Sequence, residues 1–223
     1  MTGIQVSQKT MRGEQETIFR HRFPPKDEVA AIFPLDARSM NYVHYNTADL
    51  DTLAEQLVSV TELVGEKLHG FQLNLAWPPA SALETYRSRY PEIGIVLQMG
   101  NAALAHVGHS PEAYCDWLQR DYSGLVDYIL IDPGGGYGYP LDPEVARLYL
   151  REMNARRLDI DLAVAGGIAA NSMHLVQPLL AEFPNISFDS EAPLRDSEDR
   201  MELDKARDYL LSGMALFSQV KDQ

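Results

Sequence analysis

The sequence predicts an α/β fold built on a parallel sheet, and two observations carry that prediction. From residue 41 onward, short β-rich runs alternate with stretches of helical spacing. Each strand-plus-helix repeat averages about 30 residues, the usual size of a β/α unit. Alternation of this kind favours parallel strands with helices outside them. A (β/α)8 TIM barrel is the leading architecture, with an open doubly wound sheet as the alternative.

The strand candidates come in order at residues 41–46 (NYVHYN), 71–76 (FQLNLA), 93–99 (IGIVLQM), 126–131 (VDYILI), 160–165 (IDLAVA) and 186–190 (ISFDS). Each is a short apolar or alternating run rich in Val, Ile, Phe or Tyr. Between the first two, Leu50, Leu53, Leu57, Val60 and Val64 recur every three or four residues and align as one buried helical stripe. Ser110-Pro111-Glu112 and Asp142-Pro143-Glu144 mark helix starts, a capping side chain ahead of proline and an acid in the first turn. A last helix is expected over about residues 203–217, with Leu203, Ala206, Leu210, Met214 and Phe217 as its inner face.

The N-terminal arithmetic differs. Only 40 residues precede the first clear strand, where two further β/α units need roughly 60. Residues 3–7 (GIQVS) and 29–35 (VAAIFPL) are the strand candidates there, with little room for a helix after the second. The expectation is one domain over residues 1–223, with residues 1–40 irregular or degenerate first units of the barrel. An incomplete barrel exposes strand edges, so either irregular segments packed over the gap or a homodimer is expected.

Composition narrows the functional classes. The chain of 223 residues carries a formal charge of −13, and that field repels phosphate backbones, so no nucleic-acid partner is expected. A small anionic ligand would need a local positive site. The one cysteine, Cys115, forms no internal disulfide and fits a reducing compartment. No run approaches 18 apolar residues and the N-terminus lacks an apolar export segment, so no membrane partner and a cytoplasmic location are expected.

Three consecutive strand ends carry the residues that suggest chemistry. Ligands of β/α barrels bind at the face made by those ends. Asp132 closes an apolar strand and is followed by Gly134, Gly135, Gly136 and Gly138, which let a backbone approach a ligand closely. Gly166 and Gly167 end the next strand just ahead of a helix start near residues 170–172, where amide groups face an anion. Ser190 follows the third, with Arg195 nearby to pair with a phosphate. His44 ends an alternating strand and is a candidate substrate contact. His106 and His109 lie three apart with no third ligand convincingly placed, so no metal is expected. There is no Walker loop, no nucleophile elbow and no dinucleotide fingerprint in a βα context, so no cofactor is expected. Cys115 lies in a helical segment and reads as a buried structural thiol.

The segments ILIDP…GGGYG, LAVAGGI and FDSEAPLRD resemble the last three units of phosphoribosylanthranilate isomerase, and Gln72-Leu73 resembles the Gln-Leu-His-Gly of that family's fourth strand. The likeness covers roughly residues 41–218. It implies an isomerase-type enzyme acting on a small phosphorylated sugar, as in tryptophan biosynthesis. Asp132 would be the general acid that protonates the ribose ring oxygen. Gly166, Gly167 and Ser190 would bind phosphate, with Gly134, Gly135 and Gly136 as the glycine loop, and Gln72 and Asn74 would contact substrate. Three departures stand out. The family's cysteine base has no counterpart in residues 1–40, its strand-four His-Gly is Asn74-Leu75 here, and its phosphate-loop Ser-Gly is Ser190-Glu191. Pro133-Gly134 also resembles the loop of ribulose-phosphate 3-epimerase, but Ala165 stands where that family has an aspartate. The alternative to an enzyme is a catalytically degenerate barrel that binds a phosphate ligand in a regulatory role.

Overall fold

A computed structural model describes residues 1–73, 77–132 and 139–221. The chain divides into two compact units, Met1–Gln98 with Asp121–Asp127, and Met99–Arg120 with Tyr128–Gln223. Each is a parallel α/β unit, and in each the strands pair in chain order.

The first unit contains β1 (Thr2–Ser7), β2 (Asn41–Asn46), β3 (Gly70–Leu73) and all of β4 (Gly94–Met99) but its last residue, with helices α1 (Gln8–Met11), α2 (Val29–Ile32), α3 (Leu53–Val64) and α4 (Ala80–Arg89). β1 pairs with β2, β2 with β3 and β3 with β4, all parallel. The helix-facing side alternates as the sequence predicts: Val43, Tyr45, Phe71, Leu73, Ile95 and Leu97 are buried, with Leu53, Leu57, Val60 and Val64 of α3 and Leu83 and Tyr86 of α4. Phe71 sits edge-on between Tyr45 (6.4 Å) and Tyr86 (5.7 Å), and the Tyr86 hydroxyl is 2.8 Å from that of Thr61. On the opposite side, Tyr42 lies across two strands. A methyl group at Gly70 would collide with its ring, and one at Gly94 would sit 2.5 Å from its hydroxyl. Asp127 joins this unit electrostatically, pairing with Arg87 and accepting the Ile95 amide at 2.6 Å.

The N-terminal forty residues hold one strand. Residues 3–7 lie within β1, which is in full register with β2 from Thr2↔Asn41 to Ser7↔Asn46. Residues 29–35, the other strand candidate, instead begin with the helical turn α2. Pro25 leads into a 3-10 turn over Lys26–Glu28 that runs directly into α2, and the residue before Pro34 is held extended (Phe33, ψ 125°), which stops it. Val29 and Phe33 are buried; Ile32 and Leu35 are exposed. Asn41 fastens the segment: its Nδ2 donates to the carbonyls of Pro34 (2.9 Å) and Lys67 (3.0 Å), and its amide N–H donates to His69 Nδ1 at 3.0 Å.

The second unit contains β5 (Tyr128–Ile131), β6 (Asp161–Val164) and β7 (Ser187–Phe188), with α5 (Asn101–His106), α6 (Pro111–Asp121), α7 (Pro143–Arg156), α8 (Gln177–Glu182) and α9 (Leu203–Lys221). β5 pairs with β6 and β6 with β7, again parallel. Asp142 caps α7 as predicted, its Oδ1 accepting the amides of Glu144 (2.9 Å) and Val145 (3.2 Å) with Pro143 at the first position. Ser110 caps α6 through the Ala113 amide at 3.1 Å. Cys115 is fully buried beside Tyr114 and Leu118 on the inner side of α6, and burial pushes its thiol up to about 12.

α9 packs Phe217 inward as its spacing predicts, but not Leu203, Leu210 or Met214. Leu203, Leu210 and Met214 point to solvent at 80%, 61% and 67% exposure, while Gly213 and Leu216 are buried. The deciding contact is Phe188 of β7, which stacks on Phe217 (5.2 Å) and meets Tyr209 edge-on (5.9 Å). Gly213 lets the helix come this close, since a methyl group there would stand 3.0 Å from the Phe188 ring. Apolar residues lie on two sides of α9, so spacing alone does not choose between them.

Seven strands are present among the described residues, where a (β/α)8 barrel has eight. No helix among them is long and apolar enough to cross a membrane.

Candidate functional site

In the second unit the three strand ends named from sequence fall on one row. Ile131, Val164 and Phe188 are in register across β5, β6 and β7. The next residue of each strand is therefore Asp132, Ala165 and Asp189. The amide of Asp132 donates to Met99 (3.2 Å), that of Ala165 to Ile131 (2.9 Å) and that of Asp189 to Val164 (2.9 Å), so the alignment continues past the strands. Phe188 packs on α9, so alternation turns Asp189 to the side away from that helix, and register puts Ala165 and Asp132 on the same side.

Asp132 is buried, at 3% exposure. Ala165 next to it is also buried, whereas Asp189 keeps contact with solvent. Protein nonetheless surrounds the Asp189 carboxyl on enough sides to disfavour its charge. That desolvation, then the charge of Glu191, outweigh the hydrogen bond it accepts from the Ser190 amide; with Asp132 adding a further repulsion, the group is pushed up to about 6. On α9, the Tyr209 hydroxyl donates to the Phe188 carbonyl at 3.0 Å and is raised by burial and by the nearby Asp189.

The turns after β6 and β7 meet. The Ser190 hydroxyl donates to the Ile168 carbonyl. Gly166 (φ 122°) and Gly167 (φ 54°) both adopt positive φ. The space beside Gly166 is taken by backbone: a Cβ there would sit 3.1 Å from the Tyr139 oxygen and the Leu141 nitrogen, and the Leu141 amide donates to the Gly166 carbonyl at 2.8 Å. Ser172 closes the turn, accepting the Ala169 amide at 2.7 Å and lying 3.2 Å from the Gly167 carbonyl. The helix that follows is a 3-10 segment, Ala170–Leu175. Arg195 pairs with Glu191 at 3.1 Å and donates to the Asp199 carbonyl at 3.0 Å, while its Nε is buried with no hydrogen-bond partner. Gly134, Gly135 and Gly136 lie outside the described residues, as does Asn74.

The remaining sequence candidates, His44 and Gln72, belong to the first unit and are cross-strand neighbours there. Gln5, His44 and Gln72 are in register on β1, β2 and β3, and Gln72 Nε2 reaches Gln98 Oε1 of β4 at 3.3 Å. All four share the side that carries Tyr42, a row of amides and an imidazole opposite the helix-packed face. Sequence reading missed Gln5, Gln98 and Asp189. Each had a signal, a polar side chain set within or at the end of an apolar strand. Trp77 is a core residue, edge-on to Tyr122 at 4.6 Å. His106 lies tilted against Trp117 with ring centroids 4.4 Å apart, and among the described residues no three His, Cys, Asp or Glu side chains are grouped to hold a metal ion.

The chain matches no protein-family model and no curated protein sequence. Its strand pairing defines a parallel α/β protein with a carboxylate-bearing row of strand ends.

Proposed function

We propose that the chain is a cytoplasmic enzyme of the phosphate-binding β/α-barrel class. It acts on a small phosphorylated sugar by isomerase-type acid–base chemistry of the phosphoribosylanthranilate isomerase kind. Asp132 is the general acid: protonating the ribose ring oxygen lets the ring open to an iminium ion. The turn at Gly166 and Gly167 and the loop holding Ser190 and Arg195 receive the phosphate. The observation that carries this reading is the junction of the two turns through Ser190 and Ile168, on the strand-end row that also bears Asp132. The buried Arg195 Nε adds an N–H donor with no protein partner, the kind of group an anion satisfies.

The test is turnover of N-(5-phosphoribosyl)anthranilate by the purified chain, followed by the loss of anthranilate fluorescence. Wild-type turnover with at least a 100-fold loss in Asp132→Asn is expected. Absence of turnover, together with no thermal stabilisation by ribose 5-phosphate, would sink the proposal. One observation favours a second reading, a phosphate-ligand-binding barrel without catalysis: the only thiol is sealed in the core, with its pKa raised, and cannot serve as the family's cysteine base. Stabilisation by ribose 5-phosphate without product would select that reading.

A further inference from the structure

We propose that Asp189 is the second proton-transfer group of this site, the base that removes the C2 proton of the ring-opened sugar. The inference rests on the isomerase reading above and supplies the base that reading lacks.

The geometry is a pair of carboxylates on one face, separated by the smallest chiral side chain. Asp132 and Asp189 occupy equivalent positions on β5 and β7, with Ala165 of β6 between them. Two strand spacings put their Cα atoms about 10 Å apart, which leaves room for one sugar ring between the carboxyls. A larger residue at 165 would fill that space. Asp132 is sealed from solvent, while Asp189 is reachable by it, so the two acids stand in unlike surroundings. Within this unit the groups that act on the Asp189 charge are Glu191, Asp132 and the Ser190 amide, and Asp189 in turn raises the Tyr209 phenol of α9. Desolvation, then repulsion by Glu191, raise its pKa to about 6, where a carboxylate is a more effective base than at its ordinary value.

The proton count closes. Asp132 gives its proton to the ring oxygen as the C1–O bond breaks, and the nitrogen lone pair completes the C1=N iminium bond. Asp189, ionised, takes the C2 proton. The C2–H electron pair becomes the C1=C2 bond, and the C1=N π pair returns to nitrogen. Asp189 then returns its proton to C1 while the C2 hydroxyl gives its proton to Asp132, leaving the ketose with both carboxyls in their starting states.

The test compares wild type, Asp189→Asn and Asp189→Glu on N-(5-phosphoribosyl)anthranilate across pH 4.5–8.5. Expected is a fall in kcat of at least 100-fold in Asp189→Asn with KM within about threefold, and loss of the acidic limb of the wild-type profile. Asp189→Glu should retain that limb at a displaced pH. An Asp189→Asn variant that keeps wild-type kcat and its acidic limb overturns the inference and leaves the isomerase reading standing. A wild type without turnover overturns both, and so separates the two failures. Should Asp189→Asn fail to fold, Asp189→Glu decides: a moved limb supports the role, and an unmoved one overturns it.

Discussion

The hydroxyl of Ser190 donates to the carbonyl of Ile168, and this bond ties the turn after β7 to the turn after β6. In Ser190→Ala the carbonyl loses its partner and the two turns lose their link. A stability loss of about 1 kcal/mol is expected from chemical denaturation. Thermal stabilisation by ribose 5-phosphate should shrink as well, because the turns no longer hold one geometry; an unchanged ligand shift would show that the bond plays no part in the site.

Gly166 of the β6 turn should tolerate alanine poorly, since it holds a positive φ of 122°. At Gly166 the Cβ also meets the backbone of Tyr139 and Leu141 at 3.1 Å, which cannot give way as a side chain can. Gly166→Ala should therefore cost about 2–4 kcal/mol. Urea midpoints of wild type and Gly166→Ala measure the loss, and an unchanged midpoint would contradict the packing.

Asp189 should make stability depend on pH in an unusual direction. Its proton is held more tightly folded than unfolded, so its contribution is full below the unfolded value near 4 and is lost as pH rises through about 6. Asp189→Asn removes that loss. The variant should gain about 1 kcal/mol over wild type at pH 7.5, after allowance for solvent screening, and little at pH 4. Denaturation at the two pH values measures the difference.

Asn41 is fully buried and its side-chain amide bridges the carbonyls of Pro34 and Lys67. Asn41→Ala strands both acceptors and should cost about 2–3 kcal/mol. Asn41→Asp, of the same shape but without the donors, should be no better. Hydrogen exchange of the backbone around residues 30–40 provides the local readout, with faster exchange expected there in both variants.

Much of this architecture is written in local alternation. The strand at residues 41–46 matches β2, and the capping of α7 by Asp142 follows from three consecutive residues. What alternation cannot decide is which of two apolar faces a helix will bury. On α9 the choice belongs to Phe188, a residue fifteen positions before the helix begins, and no periodicity within the helix contains that information. The short helix α2 escapes for a related reason: Val-Ala-Ala-Ile reads equally as strand, and the flanking prolines settle it. The site was legible where a residue type stands out against its strand, as Asp132 does. Asp189 does not stand out in the sequence, because Asp-Ser-Glu reads as ordinary loop chemistry. Its significance is positional and arises from a register shared with β5 across β6.

The slot that Tyr42 occupies has an evolutionary corollary. Its ring lies where side chains at positions 70 and 94 would otherwise project, so the three sites form one steric unit spread over three strands. Bulk at either glycine is blocked while the tyrosine stands. In descendants that have exchanged the tyrosine for something small, bulk should have returned at one or both glycine positions, and the three columns should change in concert.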